Sequence, residues 1–250
     1  MNNLIVNADD FGKSKEINEA IMAAMDLNLC LDTTILVNFD DSAQAVQLAK
    51  EKGRINNIGI HMNLSEGIPL TNKIKKESRF CSAEGIFHYK KSNRIVHLTK
   101  SERNAVLEEL NCQINVCRNY GVPISHADSH NHVHEEPGML VLMLQLLKNQ
   151  KIPFLRLANN LEDNGSVNNF YRRFYNSVLS FKKYQGSAYF GSIRDYWNSS
   201  AHKSGTTVEI MIHPGKIVEN QIIDFYTGEN LSIELPRLLE KNRLISYYSR

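Results

Sequence analysis

The strongest constraint on this chain is an alternation. Short apolar, β-branched runs are separated by stretches of helix length with amphipathic spacing, the pattern of parallel strands joined by crossover helices. Candidate strands are Leu4 to Asn7, Thr33 to Asn38, Ile58 to Asn63, Ile124 to Asp128, Phe154 to Leu157 and Val208 to His213. Between the first two, Ile17, Ile21, Ala24 and Met25 fall along one helical stripe that can cover a sheet, with Ser14 placed to cap it. A later helix opens on the capping box Thr99-Lys100-Ser101-Glu102, carries Val106, Leu110, Ile114 and Cys117 on one face and stops near Gly121. The class is therefore α/β, and 250 residues suit one domain of that class, so 1–250 is read as a single unit. Two segments resist assignment. Asn72 to Lys100 reads as a long excursion over the surface, and Asn159 to Lys203 as irregular chain with one helix around Asn169 to Phe181.

Composition narrows the function classes. An apolar fraction of 42% with 22% charged residues is that of a soluble globular protein, and no run approaches the roughly 20 apolar residues of a membrane span. The N-terminus lacks the basic flank and long apolar stretch of a signal peptide, so a cytoplasmic location is expected. The net charge of +2 has no basic stripe behind it, and the run Lys73 to Lys76 reads as a solvated loop. Neither nucleic acid nor a membrane is expected as partner, and a homo-oligomer is left open. Cys30, Cys81, Cys112 and Cys117 contain no Cys-x-x-Cys pair, which favours reduced, structural thiols over a thiolate metal site.

Reactive groups cluster just after the candidate strands: Asp9 and Asp10 after the first, His61 after Ile58-Gly59-Ile60, a histidine cluster after Ile124, and His213 after Val208 to Ile212. In a parallel α/β arrangement the C-terminal strand ends converge on one rim, so residues far apart in sequence can share a site there. From His126 to His134 every second residue is His or Asp, and in extended chain these would share one face. Imidazoles and carboxylates collected on one side are ligands for a divalent cation. The bland alternative is a polar loop whose histidines are satisfied by neighbours. Asp9 and Asp10 could likewise be a turn that starts a helix. Adjacent carboxylates also suit a division of labour, one holding a cation and the other accepting a proton.

Taken together, these segments resemble the YdjC/ChbG family of carbohydrate deacetylases. The resemblance rests on Asn7-Ala8-Asp9-Asp10-Phe11-Gly12, Thr33-Thr34-Ile35-Leu36-Val37-Asn38, Gly59-Ile60-His61-Met62-Asn63-Leu64 with Gly67-Ile68-Pro69-Leu70, His126-Ala127-Asp128-Ser129-His130-Asn131-His132-Val133-His134, and His213-Pro214-Gly215. It implies a distorted, TIM-like (β/α) barrel of seven or eight parallel strands. It implies one divalent metal ion, Mg2+ or Zn2+, on Asp10, His61 and His130, with Asp9 as general base and His213 as general acid. Asp128 and His132 would orient ligands, and Arg156 matches an arginine near the site, with a buried ion-pair partner as its bland alternative. The implied reaction is hydrolysis of the acetamide of an N-acetylated sugar, a chitooligosaccharide or related glycan. The rival readings are a metal-dependent phosphoesterase or amidohydrolase on a related barrel, and a sugar-binding barrel without catalysis. Asp9-Asp10 at the first strand argues against the former, because those enzymes usually place His-x-His there.

Overall fold

The computed structural model describes residues 1–90, 94–161, 165–200 and 205–249. The elements are β1 (Asn3–Phe11), α1 (Lys15–Asp26), β2 (Asp32–Ile35), α2 (Ser42–Glu51), β3 (Ile58–Met62), α3 (Lys100–Asn119), β4 (Ala127–Ser129), α4 (Leu140–Gln150), α5 (Ser166–Phe181), β5 (Tyr189–Gly191), α6 (Ile193–Asn198), β6 (Thr207–Ile212), β7 (Pro214–Val218), β8 (Gln221–Asp224), α7 (Leu231–Leu239) and β9 (Arg243–Ile245).

Apolar strands joined by helices pair in parallel, in the order β4-β3-β2-β1-β6-β5, with β9 also on β1. β1 lies in the middle. One edge runs along β6, while the other is shared, with β9 at Asn3 to Ile5 and β2 from Asn7 onward. The sheet forms a half-barrel rather than the closed ring of seven or eight strands expected from sequence. Between β4 and β5 a full strand is replaced by Leu155, which bridges Ala127 on one side and Gln185 on the other. The candidate strand Phe154 to Leu157 is thus reduced to single bridges, and β7 and β8 form a separate antiparallel hairpin.

The helices follow their sequence signals. Ser14 Oγ accepts from the Ile17 amide, and Thr99 with Glu102 closes a full capping box on α3. The stripe Ile17, Ile21, Ala24 and Met25 is buried against the sheet, as are Val106, Leu110, Ile114 and Cys117 of α3. The excursion from Asn72 to Lys100 is less superficial than expected: Ile74, Phe80, Phe87, Tyr89 and Ile95 are buried and tether it to the core. Asn159 to Lys203 yields α5, β5 and α6, apart from 162–164 and 201–203, which lie outside the described residues. Among the described residues no helix is long and apolar enough to cross a membrane.

Candidate metal centre

The two adjacent carboxylates reach one site because β1 is irregular. β1 pairs with β2 at Asn7↔Asp32 and Ala8↔Thr33, and next at Phe11↔Ile35, so the register slips across Asp9 and Asp10. In a regular strand consecutive side chains point to opposite faces, and one carboxylate would be lost to the site. Asp10 instead takes φ 70°, a left-handed conformation that Asp tolerates better than most residues. Both carboxylates are buried, within β1 and ahead of α1, not in a helix-initiating turn. Immediately after them Gly12 has φ +93°, and a Cβ there would sit 2.5 Å from the Leu36 carbonyl, so only glycine fits.

Asp10, His61 and His130 converge as the resemblance implies. Asp10 Oδ1 lies 2.8 Å from His130 Nδ1 and 3.3 Å from His61 Nε2. The two imidazoles present different nitrogens, each with the opposite one occupied. His61 Nδ1–H donates to Asp128 Oδ1 at 2.6 Å, and His130 Nε2–H donates to Glu66 Oε2 at 2.8 Å. Asp10 Oδ1 is buried and receives no hydrogen bond, since neither ring nitrogen lines an N–H up with it. A buried anionic oxygen without a donor is costly unless a cation meets it. Two imidazole nitrogens and one carboxylate oxygen, all nearly water-free, are the donor set of a divalent metal site. Burial alone would lower His61, but Asp128 and Asp10 beside it bring it up to about 10. Burial would raise Asp10, yet the charge of His130 and His61 beside it holds it well below the usual carboxylate range.

Behind these groups lies a fully buried ion cluster. Arg156 donates to both oxygens of Asp9, at 2.6 and 2.7 Å, to Glu209 Oε1 at 2.7 Å, and lies 2.7 Å from Asp128 Oδ2. Asn7 Nδ2 gives Asp9 Oδ1 a third donor at 2.8 Å. Burial would raise Asp9, but Arg156 overrides it and keeps the carboxyl ionised. Tyr247 Oη closes the cluster from the C-terminal side, donating to Glu209 Oε2 at 2.6 Å. Thr34 Oγ1 donates to Asp128 Oδ2 at 3.0 Å, so Asp128 is fixed by hydroxyl and guanidinium before it meets His61.

The remaining predicted residues separate. The extended reading of 126–134 holds for Ala127 to Ser129 only, because Asn131 and His132 adopt φ 53° and 54° and the chain coils into 3-10 turns. His126 is not a ligand: it is buried, bonds Asn7 Oδ1 at 2.9 Å and stacks on Tyr247 with ring centroids 4.2 Å apart. Burial, then Arg156, push it down to about 3. His134 pairs with Ser129 Oγ at 2.6 Å. His126, with both ring nitrogens bonded to Ser125 and Asn7, follows the bland reading. His132 lines the site, edge-on to Phe190 and 3.6 Å from Glu135. His213 Nε2 stands 3.9 Å from Asp9 Oδ2, with Asp224 Oδ2 3.8 Å from its other nitrogen and bonded to its backbone N–H at 2.8 Å.

Glu66, Lys13 and Tyr226 were not foreseen. Lys13 Nζ donates to Glu66 Oε2 at 2.9 Å and to Tyr226 Oη at 3.2 Å, and Tyr226 Oη donates to Asp10 Oδ2 at 3.1 Å. Glu66 sits just before Gly67-Ile68-Pro69-Leu70, which was a usable signal, whereas nothing around Tyr226 marked it. Asp9, His61, His130, His132, His213 and Tyr226 line a pocket of about 170 Å³. His132 and Tyr226 also line a neighbouring cavity of about 560 Å³, walled by Arg172, Arg194, Asn159 and Glu229.

Known proteins resemble this chain along most of its length. A curated carbohydrate deacetylase of Halalkalibacterium halodurans is 28% identical over 228 residues, 86% of each chain. One from Vibrio campbellii is 26% identical over 86% of this chain and 78% of its own. A third, from Brevibacillus brevis, is 33% identical over 60% of this chain, and the match spans 57% of that protein. In fold, a crystal structure from Enterococcus faecalis V583, named for an assigned role in cellobiose-phosphate cleavage, superimposes with a TM-score of 0.73 over 99% of this chain and 98% of its own, at 20% identity. The family model described as YdjC-like protein matches residues 3–246, and the chain belongs to that family.

Proposed function

We propose that this chain is a metal-dependent hydrolase that removes the acetyl group from an N-acetylated sugar, acting in the cytoplasm as one domain over 1–250. The observation that carries the reading is the convergence of His130 and His61 nitrogens, at 2.8 and 3.3 Å, on an Asp10 oxygen that has no hydrogen-bond donor, with Asp9 and His213 facing the same pocket. The curated relatives named carbohydrate deacetylase support the reaction class.

A divalent cation on Asp10, His61 and His130 would supply Lewis acidity, lowering the pKa of a water and polarising an acetamide carbonyl. Asp9 accepts the proton of the attacking water: it is ionised, oriented by Arg156, and its Oδ2 takes only one short donor, which leaves a lone pair toward the pocket. As the new C–O bond forms and the C–N bond breaks, His213 delivers a proton to the departing amine, its ring steadied by Asp224. Acetate and an amino sugar leave. The larger cavity beside the pocket, polar and of about 560 Å³, has room for further sugar units, which supports a chitooligosaccharide or related glycan over a single acetylated residue.

The test is acetate release from N-acetylated mono- and oligosaccharides with added Mg2+ or Zn2+, alongside phosphate release from phosphoesters. Asp9→Asn should keep metal and lose 10²- to 10⁴-fold in turnover, on the order of a general base's contribution. His61→Ala should lose both. Full activity in Asp9→Asn, or phosphate release without acetate release, refutes the reading.

A further inference from the structure

We infer that Glu66, Lys13 and Tyr226 form a strap across the rim that positions Asp10 and His130 as cation ligands. The three come from separate loops: Lys13 follows β1, Glu66 follows β3, and Tyr226 follows β8. Each does something definite to a donor atom. Glu66 takes the Nε2 proton of His130 at 2.8 Å, which fixes the tautomer and leaves Nδ1 bare toward Asp10 Oδ1. Tyr226 donates to Asp10 Oδ2 at 3.1 Å, occupying that oxygen and leaving Oδ1 for the pocket. Lys13 bonds to both, so neither the carboxylate nor the phenol can swing away alone.

The strap also sits at the mouth: Tyr226 lines both the 170 Å³ pocket and the 560 Å³ cavity, with its ring edge-on to His213 at 4.7 Å. These are positioning residues, acting through Asp10 and His130.

The proposal rests on the reading of Asp10, His61 and His130 as ligands, and the test separates the two. Dissociation constants for Zn2+ and Mg2+ are measured by chelator competition on the full chain, with the metal-induced rise in Tm as a second readout. Glu66→Ala should weaken binding 10- to 100-fold, the range for loss of a carboxylate that orients a ligating histidine. Glu66→Gln keeps an acceptor and should recover most of it. Tyr226→Phe should weaken binding several-fold. The double variant Glu66→Ala/Tyr226→Phe should lose less than the product of the two, because Lys13 couples them. Circular dichroism of the cation-free variants confirms folding, and Glu66→Gln serves should Glu66→Ala misfold. Constants within twofold of the parent in Glu66→Ala overturn the strap while leaving the metal site standing. A parent that binds neither cation overturns both.

Discussion

His61 and His130 approach the same carboxylate oxygen from opposite kinds of surroundings. Behind His61, Asp128 is fully buried and wired through Arg156 to Asp9 and Glu209. Behind His130, the Glu66 side chain is 44% exposed and is held by one lysine. The inner side cannot be altered without leaving charge uncompensated in the core, whereas the outer side is assembled from loops at the rim. The difference suggests that the inner groups set whether the protein folds and the outer groups set how well a folded protein holds its cation.

The largest test of that contrast is Arg156→Met. It strands Asp9, Asp128 and Glu209 without their shared guanidinium, and breaking a buried pair in this way costs on the order of 3–5 kcal/mol. Urea unfolding should report that loss; a variant as stable as the parent would mean the inner cluster is not what holds the site.

A pH series probes the same side further back. Burial pushes the Asp32 carboxyl up to about 7, although Ser246 and the Tyr247 amide donate to it. A raised folded-state pKa means that the stability linked to the neutral carboxyl is present below the ordinary carboxylate pKa and is lost as pH rises through 7. Asp32→Asn should therefore gain on the parent between pH 4 and pH 8, by up to about 4 kcal/mol at about 1.4 kcal/mol per unit. The measurement is the difference in unfolding free energy between the two proteins across that range. A flat difference would show that Asp32 stays ionised in the folded state.

The smallest effect belongs to the outer side. Glu66→Ala should change the stability of the cation-free protein by about 1 kcal/mol, because Glu66 itself is 44% exposed although its partners Lys13 and His130 are largely buried. If thermal unfolding showed a loss comparable with Arg156→Met, the division into a folding side and a holding side would collapse.

The same division decides what could be read from the sequence. That Asp10, His61 and the histidine cluster share one rim is legible because they follow candidate strands and parallel topology brings such ends together, whereas the choice of Asp10, His61 and His130 as ligands comes from the family resemblance. Asp128 as a group that orients a ligand and Arg156 as a buried ion-pair partner are both within reach of the sequence, whereas the three carboxylates that Arg156 meets are not, since one arginine in Phe154-Leu155-Arg156-Leu157 gives no hint of its partners. Glu66, Lys13 and Tyr226 lie in loops, where no periodicity links sequence position to direction. The expected closed barrel failed at Leu155, where a strand-like stretch makes only single bridges. The alternation from His126 to His134 misled for a related reason: left-handed residues at Asn131 and His132 end the strand, and period two has no meaning beyond that point.

The central position of β1 has a consequence for how the molecule is made. Of the three strands that flank it, β2 follows closely in the chain, whereas β6 and β9 come about two hundred residues later. Until then β1 is an apolar segment with one edge open and the other covered only in part by β2, the kind of surface that invites association with other chains. Chains that lack β6 and β9 should therefore associate more readily than the full fold.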